Sequence, residues 1–319
     1  MNTATVSEIE TNDSKCRTLL GRIADTWGTR AQVRRPELIM DFNPSIPDFL
    51  ENLLPFHKHP NYTRLDDRQK SKILSCGWLA YNEKTVAIET AIVTPSCLDI
   101  LEGRIPGLKD EVTTKIVCET LVDEAYHLLL VKNANEVCRS RRGLESINIP
   151  KFNLVKYMEK DKSLHSEPWK KILIQLATTV VSEIFVSDYL NLLSDSQEIQ
   201  PFNRLTVSAH RHDELTHSKI FKSFTQQFFP AFNPEQKAFF AQILPKPVLW
   251  FADLELDLWH DLLSQLKIKD ATTIIEDSRE LNRAAHKRVN YTEVVALAEE
   301  IGMYEKHDSR FMFPEIELH

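Results

Sequence analysis

The sequence predicts an all-α protein, and three features of the chain carry that prediction. Only 7 of its 319 residues are glycine, and none falls between Gly143 and Gly302. Tight hairpins, phosphate-cradling loops and dinucleotide-binding crossovers all draw on glycine for backbone at positive φ, so a long glycine-free stretch reads as helices joined by Asn, Ser, Asp and Pro turns. Helix-start signals recur at Asp66 or Asp67, at Ser166-Glu167-Pro168 and at Asn233-Pro234-Glu235-Gln236, where a capping side chain or a first-turn proline satisfies or removes free N–H groups. Between these signals the apolar residues repeat at helical spacing.

Composition narrows the function classes. At 42% hydrophobic and 27% charged residues the chain has the balance of a soluble globular protein and enough apolar surface for a large core. A net charge of −7 and a pI near 5.9 offer no general attraction to nucleic-acid phosphate. No G-x-G-x-x-G or Walker loop is present. The five cysteines (Cys16, Cys76, Cys97, Cys118, Cys138) form no C-x-x-C pair and read as reduced packing residues. The polar, acidic start from Met1 to Glu8 lacks a signal-peptide pattern, which predicts a cytoplasmic protein. The longest apolar stretch, Ile172 to Leu190, contains Gln175, Glu183 and Asp188, which argues against a membrane span.

Taken in order, residues 1–15 read as a disordered tail and 16–319 as one helical domain of roughly ten helices. Cys16 to Val33 has helical spacing, and a proline-containing loop follows to about Thr63. A long helix from Asp66 or Asp67 should reach about Thr94 and be closed by Pro95, with a second from about Leu108 to Cys138. A connection opens at the basic residues near 139–143. Further helices fit Pro168 to about Leu193, Asn203 to about Phe228, a segment from Pro234, and Val248 to Leu266, with two shorter ones before Gly302.

The chemistry lies in a repeated motif, Asp123-Glu124-Ala125-Tyr126-His127 and Asp213-Glu214-Leu215-Thr216-His217. At about 100° per residue, Glu and His three apart point within about 60° of each other and can bind one ion from one helix. By chance about one E-x-x-H is expected in a chain of this composition, but two with the same preceding aspartate are expected in about one of several hundred. Upstream of each motif a glutamate sits in an apolar run: Glu89 is 35 residues before Glu124, and Glu183 is 31 before Glu214. A carboxylate in such a run needs a cation or a strong hydrogen-bond partner. Two antiparallel helix pairs joined by a longer connection, with one Glu from each of two helices and E-x-x-H from each of the others, form the layout of a ferritin-like four-helix bundle, here with additional helices. Asp123 and Asp213 are placed to accept the free N–H of a ligand histidine across the repeat.

A third histidine, His210, lies four residues before Glu214 and seven before His217, within about 40° of both on a helix, whereas His212 points away. His57, His59, His165, His260 and His286 have no ligand partner at suitable spacing and read as structural or surface residues.

The set Glu89, Glu124-x-x-His127, Glu183 and His210-x-x-x-Glu214-x-x-His217, with Tyr81-Asn82 upstream, resembles the dinuclear-iron arylamine N-oxygenases, typified by the p-aminobenzoate N-oxygenase of aureothin biosynthesis. The motif resemblance covers about residues 78–221. It implies that these seven residues bind two iron ions, with Glu124 and Glu214 as bridges, and that O2 is used to oxidise an amine nitrogen to hydroxylamine and beyond. It also implies an external electron donor, a natural-product role and a homodimer. The amine, aryl or amino-acid-derived, would be free or presented on a carrier protein. Tyr81 is placed to line the pocket, and Arg288 or Arg283 on a late helix corresponds to the family's arginine for a substrate carboxylate. A diiron carbon hydroxylase or desaturase, and a non-catalytic iron-binding helical protein, are the alternatives.

Overall fold

The structure, a computed structural model, describes residues 6–35, 42–282 and 291–303, and all regular structure among them is helical. α1 (Val6–Arg30) is followed by single 3-10 turns at Gln32–Arg34 and Glu51–Leu53 and by the short α2 (Pro60–Thr63). The bundle itself consists of α3 (Asp67–Ile88), which runs through a π-helical turn (Glu89–Val93) into α4 (Thr94–Leu101), then α5 (Glu111–Arg142), α7 (Pro168–Ser194) and α8 (Pro201–Ala231), with α6 (Asn153–Ser163) in the crossover. α9 (Pro234–Ile243), α10 (Lys246–Phe251), α11 (Leu256–Gln265), α12 (Ala271–Asn282) and α13 (Thr292–Glu300) complete the chain.

Local chemistry sets the ends of the bundle helices. Asp66 accepts the Gln69 N–H at 2.8 Å while Gln69 reaches back to the Asp66 N–H, a capping box that starts α3. Asp110 accepts the Thr113 N–H at 3.0 Å at the start of α5, and Gly143, at φ 64°, ends it in the left-handed conformation that glycine adopts without strain. Pro168 and Pro201 occupy first-turn positions of α7 and α8. α3 packs against α5, α7 against α8, and α5 against α8, while α1 lies across α5 and α8. Asn82–Asn135 with Ser75–Cys138 shows α3 antiparallel to α5, and His127–Asp213 with Asp123–His217 shows α5 antiparallel to α8. This is a four-helix bundle of the ferritin-like kind.

Two apolar clusters divide the bundle along its axis. One includes Ile116, Ile174 and Phe224, the other Trp78, Cys138 and Leu190. Glu89, Glu124, Glu183 and Glu214 fall between them in sequence on every core helix, so the carboxylates form a polar layer sealed from both ends. α7 is long and apolar enough by length and composition to cross a membrane, but 72% of its most apolar stretch is buried inside the protein, the signature of a core helix.

Four expectations are corrected. Helix α1 starts at Val6, inside the segment read as a disordered tail; its first turns carry no apolar periodicity, so a pattern-based reading does not register them. Pro95 does not close the first bundle helix. It sits in the first turn of α4, and the wider π-helical turn before it accommodates its ring. The stretch from Val248 to Leu266 is two helices, broken at Ala252 to Glu255, where Glu255 has φ 53°. α6 occupies the crossover, where no helix was expected, and its start has no side-chain cap of its own. Of the cysteines, Cys118 is exposed and the other four are buried.

Candidate metal centre

Glu89 is the first residue of the π-helical turn, Glu124 and His127 face inward one turn apart on α5, Glu183 lies midway along α7, and His210, Glu214 and His217 follow one face of α8. All seven residues are at most 2% exposed. One ligand atom from each of Glu89, His127, His210 and Glu214 lies within 4.8 Å of the others, and the same holds for Glu124, His127, Glu214 and His217. His127 and Glu214 belong to both groups. Glu183 belongs to neither; it is buried beside them, with Oε2 lacking a hydrogen-bond partner.

The imidazoles are aimed by specific atoms. His127 Nδ1 is 3.0 Å from Glu124 Oε2 and 3.1 Å from Glu214 Oε1, and His217 Nδ1 is 3.2 Å from Glu124 Oε1. His210 presents Nε2 instead, 3.0 Å from Glu214 Oε1 and 3.4 Å from Glu89 Oε1. Behind the rings, His127 Nε2 meets Asp213 Oδ2 at 3.4 Å and His217 Nε2 meets Asp123 Oδ2 at 3.2 Å, each pairing crossing from one repeat to the other. With a metal in place these contacts would set the tautomers, Nε2–H donating to aspartate and the Nδ1 lone pair facing the cluster. His212 is exposed, while His59 accepts the Asn61 N–H and pairs with Asp277 at 3.1 Å.

The electrostatics are those of a cation site. Burial, together with the neighbouring glutamates, pushes the Glu89 and Glu183 carboxyls well above the usual range. Burial acts the same way on Glu124 and Glu214, but His217 and His127 outweigh it, leaving Glu124 at about 2 and Glu214 well below its ordinary value. Burial disfavours charge on His127 and His217, yet the surrounding carboxylates raise both well above the ordinary imidazole value. Four glutamates sharing one dry layer repel each other unless positive charge is supplied. Glu89 Oε2 and Glu183 Oε2 are buried without hydrogen-bond partners, as atoms reserved for a metal would be. The oxygen and imidazole donor set suits iron or manganese. Cys97 is buried nearby, and burial and the adjacent Glu124 and Glu183 push its thiol well up, so it stays protonated.

The family described as p-aminobenzoate N-oxygenase AurF matches residues 16–302 of this chain. The chain belongs to that family. It is 27% identical over 302 residues to the 4-aminobenzoate N-oxygenase of Streptomyces thioluteus, covering 93% of this chain and 89% of that one. Family membership makes the protein an oxygenase, and the match takes in the flanking helices as well as the motif-bearing segment.

This N-oxygenase has a cavity of about 460 Å³, walled by Tyr81 and Lys84 of α3, Phe185 and Tyr189 of α7, and Phe251 and Glu255 around the α10–α11 break; none of the seven candidate ligands lines it. Lys84 precedes Glu89 by five residues and Phe185 follows Glu183 by two, so the cavity is walled by the same two helices that carry these glutamates. Tyr81 stacks on Tyr189 at 4.4 Å between ring centres and donates to the Tyr189 carbonyl at 3.2 Å. Lys84 donates to the Phe251 carbonyl at 2.9 Å and lies over the Phe251 and Tyr189 rings. Arg283 and Arg288 lie outside the described residues.

Three groups at the centre escaped the sequence reading. Trp27, Arg30 and the backbone of Gln32, all from α1 or just beyond it, contact Asp123 and Asp213. Trp27 and Arg30 are three apart and share a helix face, but nothing in the sequence says which helix they meet.

Proposed function

We propose that the cluster holds two iron ions and that the enzyme uses O2 to oxidise the nitrogen of a small amine to a hydroxylamine or a more oxidised product. Glu89, Glu124, His127, Glu183, His210, Glu214 and His217 would be the ligands, with Glu124 and Glu214 as bridges. The observation that carries this reading is the position of His210, whose Nε2 lies 3.0 Å from Glu214 and 3.4 Å from Glu89. It gives the site a third imidazole where a ferritin-like dinuclear site needs two. Two ferrous ions held there would supply electrons for the reduction of O2.

The chain's own groups set the rest. Asp123 and Asp213 keep the Nε2 protons on His217 and His127, and the two apolar clusters exclude bulk water from the layer. The cavity walled by Tyr81 and Tyr189 would hold the body of the amine with its nitrogen toward Glu89 and Glu183. The first step balances as amine plus O2, two protons and two electrons giving hydroxylamine and water, so an external electron donor is required. The named activity of the Streptomyces relative favours an aryl amine; an amino-acid amine, free or on a carrier protein, is the other form the substrate could take. A cytoplasmic homodimer serving natural-product biosynthesis completes the reading.

The test is metal content followed by isotope tracing. Protein loaded anaerobically with ferrous iron and re-isolated should hold close to two irons per chain, and Glu124→Ala should not. Reaction with aryl and aliphatic amines under 18O2 should place the label on nitrogen. A reproducible single zinc, or label on carbon alone, would overturn the proposal.

A further inference from the structure

The two aspartates behind the imidazoles converge on one guanidinium. Asp123 accepts the Trp27 indole N–H on Oδ1 at 3.0 Å and pairs through Oδ2 with His217. Asp213 accepts the Gln32 backbone N–H at 3.2 Å and pairs through Oδ2 with His127. Arg30 Nη1 lies 3.9 Å from Asp123 Oδ2 and 3.9 Å from Asp213 Oδ1. A single nitrogen is thus equidistant from equivalent carboxylates of the two repeats. Both carboxylates are fully buried, Arg30 is only 17% exposed, and its Nε and Nη1 have no hydrogen-bond partner.

This geometry divides the work on α1. Trp27 touches one aspartate, the Gln32 backbone the other, and Arg30 alone reaches both. Two buried carboxylates this close to a common point repel each other, and a shared cation fixes their separation. Each aspartate in turn sets the ring orientation of one histidine, so whatever fixes both aspartates fixes both rings.

We propose that Arg30 is a positioning residue common to both halves of the centre: it holds Asp123 and Asp213, and through them keeps His217 and His127 presenting Nδ1 to the metal positions. The inference rests on the dinuclear reading above, and goes beyond it in assigning a single helix outside the bundle the task of coupling the two positions.

The test is titration of the metal-free full-length protein with Co2+, followed by visible ligand-field absorption, with far-ultraviolet circular dichroism confirming that each metal-free protein is folded. Wild type should take two Co2+. Arg30→Met should weaken both binding steps by about 10- to 100-fold, the usual range for groups that orient metal ligands. Arg30→Lys keeps the charge but lacks the planar fork, and should weaken both steps less. Trp27→Phe should weaken one step only. Wild-type affinity at both steps in Arg30→Met, or a loss confined to one step, would overturn the proposal. So would a Trp27→Phe profile identical to that of Arg30→Met, because packing of α1 would then account for the effect. If Arg30→Met does not fold, Arg30→Lys decides: two weakened steps support the proposal, and two unchanged steps overturn it. A wild type that binds fewer than two Co2+ would instead remove the dinuclear reading itself, and this inference with it.

Discussion

Gln175 on α7 donates its side-chain amide to the carbonyl of Ala91 at 3.0 Å, and also to that of Ile92 at 2.7 Å. Pro95, four residues beyond Ala91, has no N–H to offer that carbonyl and its ring crowds it. Gln175 therefore supplies from a neighbouring helix what proline withholds, and Thr179 adds a bond to Ile92 at 3.0 Å. The π-helical turn that results begins at Glu89. A buried polar residue in the middle of an apolar helix thus serves to place a carboxylate of the candidate centre.

The replacement Gln175→Met should cost about 1–3 kcal/mol for the Ala91 carbonyl left unsatisfied, since Thr179 still bonds that of Ile92, read as a lower denaturation midpoint of the metal-free protein. It should also weaken metal uptake, since Glu89 depends on the turn. Unchanged stability would mean that the turn closes without Gln175.

Asp213 and Glu214 are adjacent in sequence but face different partners, Asp213 backing His127 and Glu214 lying within the cluster. Asp213→Asn should retain most of the iron, with affinity or activity lowered by about 10- to 100-fold, whereas Glu214→Gln should lose the second metal altogether. Iron analysis with Mössbauer spectroscopy separates the two; equal loss from both variants would make Asp213 a ligand or a folding residue.

The cavity offers a test of substrate placement independent of the metals. Ala80 lines it from α3, and Ala80→Phe should fill part of the space. KM for an accepted amine should rise by about tenfold, equivalent to about 1.4 kcal/mol, with iron content unchanged. An unaltered KM would place the substrate elsewhere.

Glu255 predicts a pH dependence of stability. Burial pushes its carboxyl from 4.5 to about 7, against the pull of Lys84 and the Asn153 N–H, which Glu255 accepts at the start of α6. Because the folded state keeps the proton to higher pH than the unfolded chain, this group's contribution to stability is fully present below about pH 4.5. It is lost as pH rises through about 7. Glu255→Gln removes the titration. The unfolding free energy of the variant relative to wild type should therefore move in the variant's favour by on the order of 2 kcal/mol between pH 5 and pH 8; a difference independent of pH would show that Glu255 does not titrate there.

The helical class, the capping of α3 and α9, and the grouping of Glu89 and His210 with the Glu and His of the two D-E-x-x-H segments were legible in the sequence. Each depends on local rules: a cap acts within one turn, and helical spacing decides which side chains share a face. What the tertiary structure alone decided was which faces meet. Pro95 read locally as a stop, and became part of a continuing helix because Gln175, 80 residues later, answers the freed carbonyl. Trp27 and Arg30 carry no signal of their own, yet Trp27 meets Asp123 and Arg30 reaches the aspartates of both repeats because α1 packs across α5 and α8. Lys84 joins the wall of a cavity only through the folding of Phe251 and Glu255 over it. Periodicity encodes the direction of a side chain on its own helix, whereas the partner it finds there is set by packing between segments far apart in the chain.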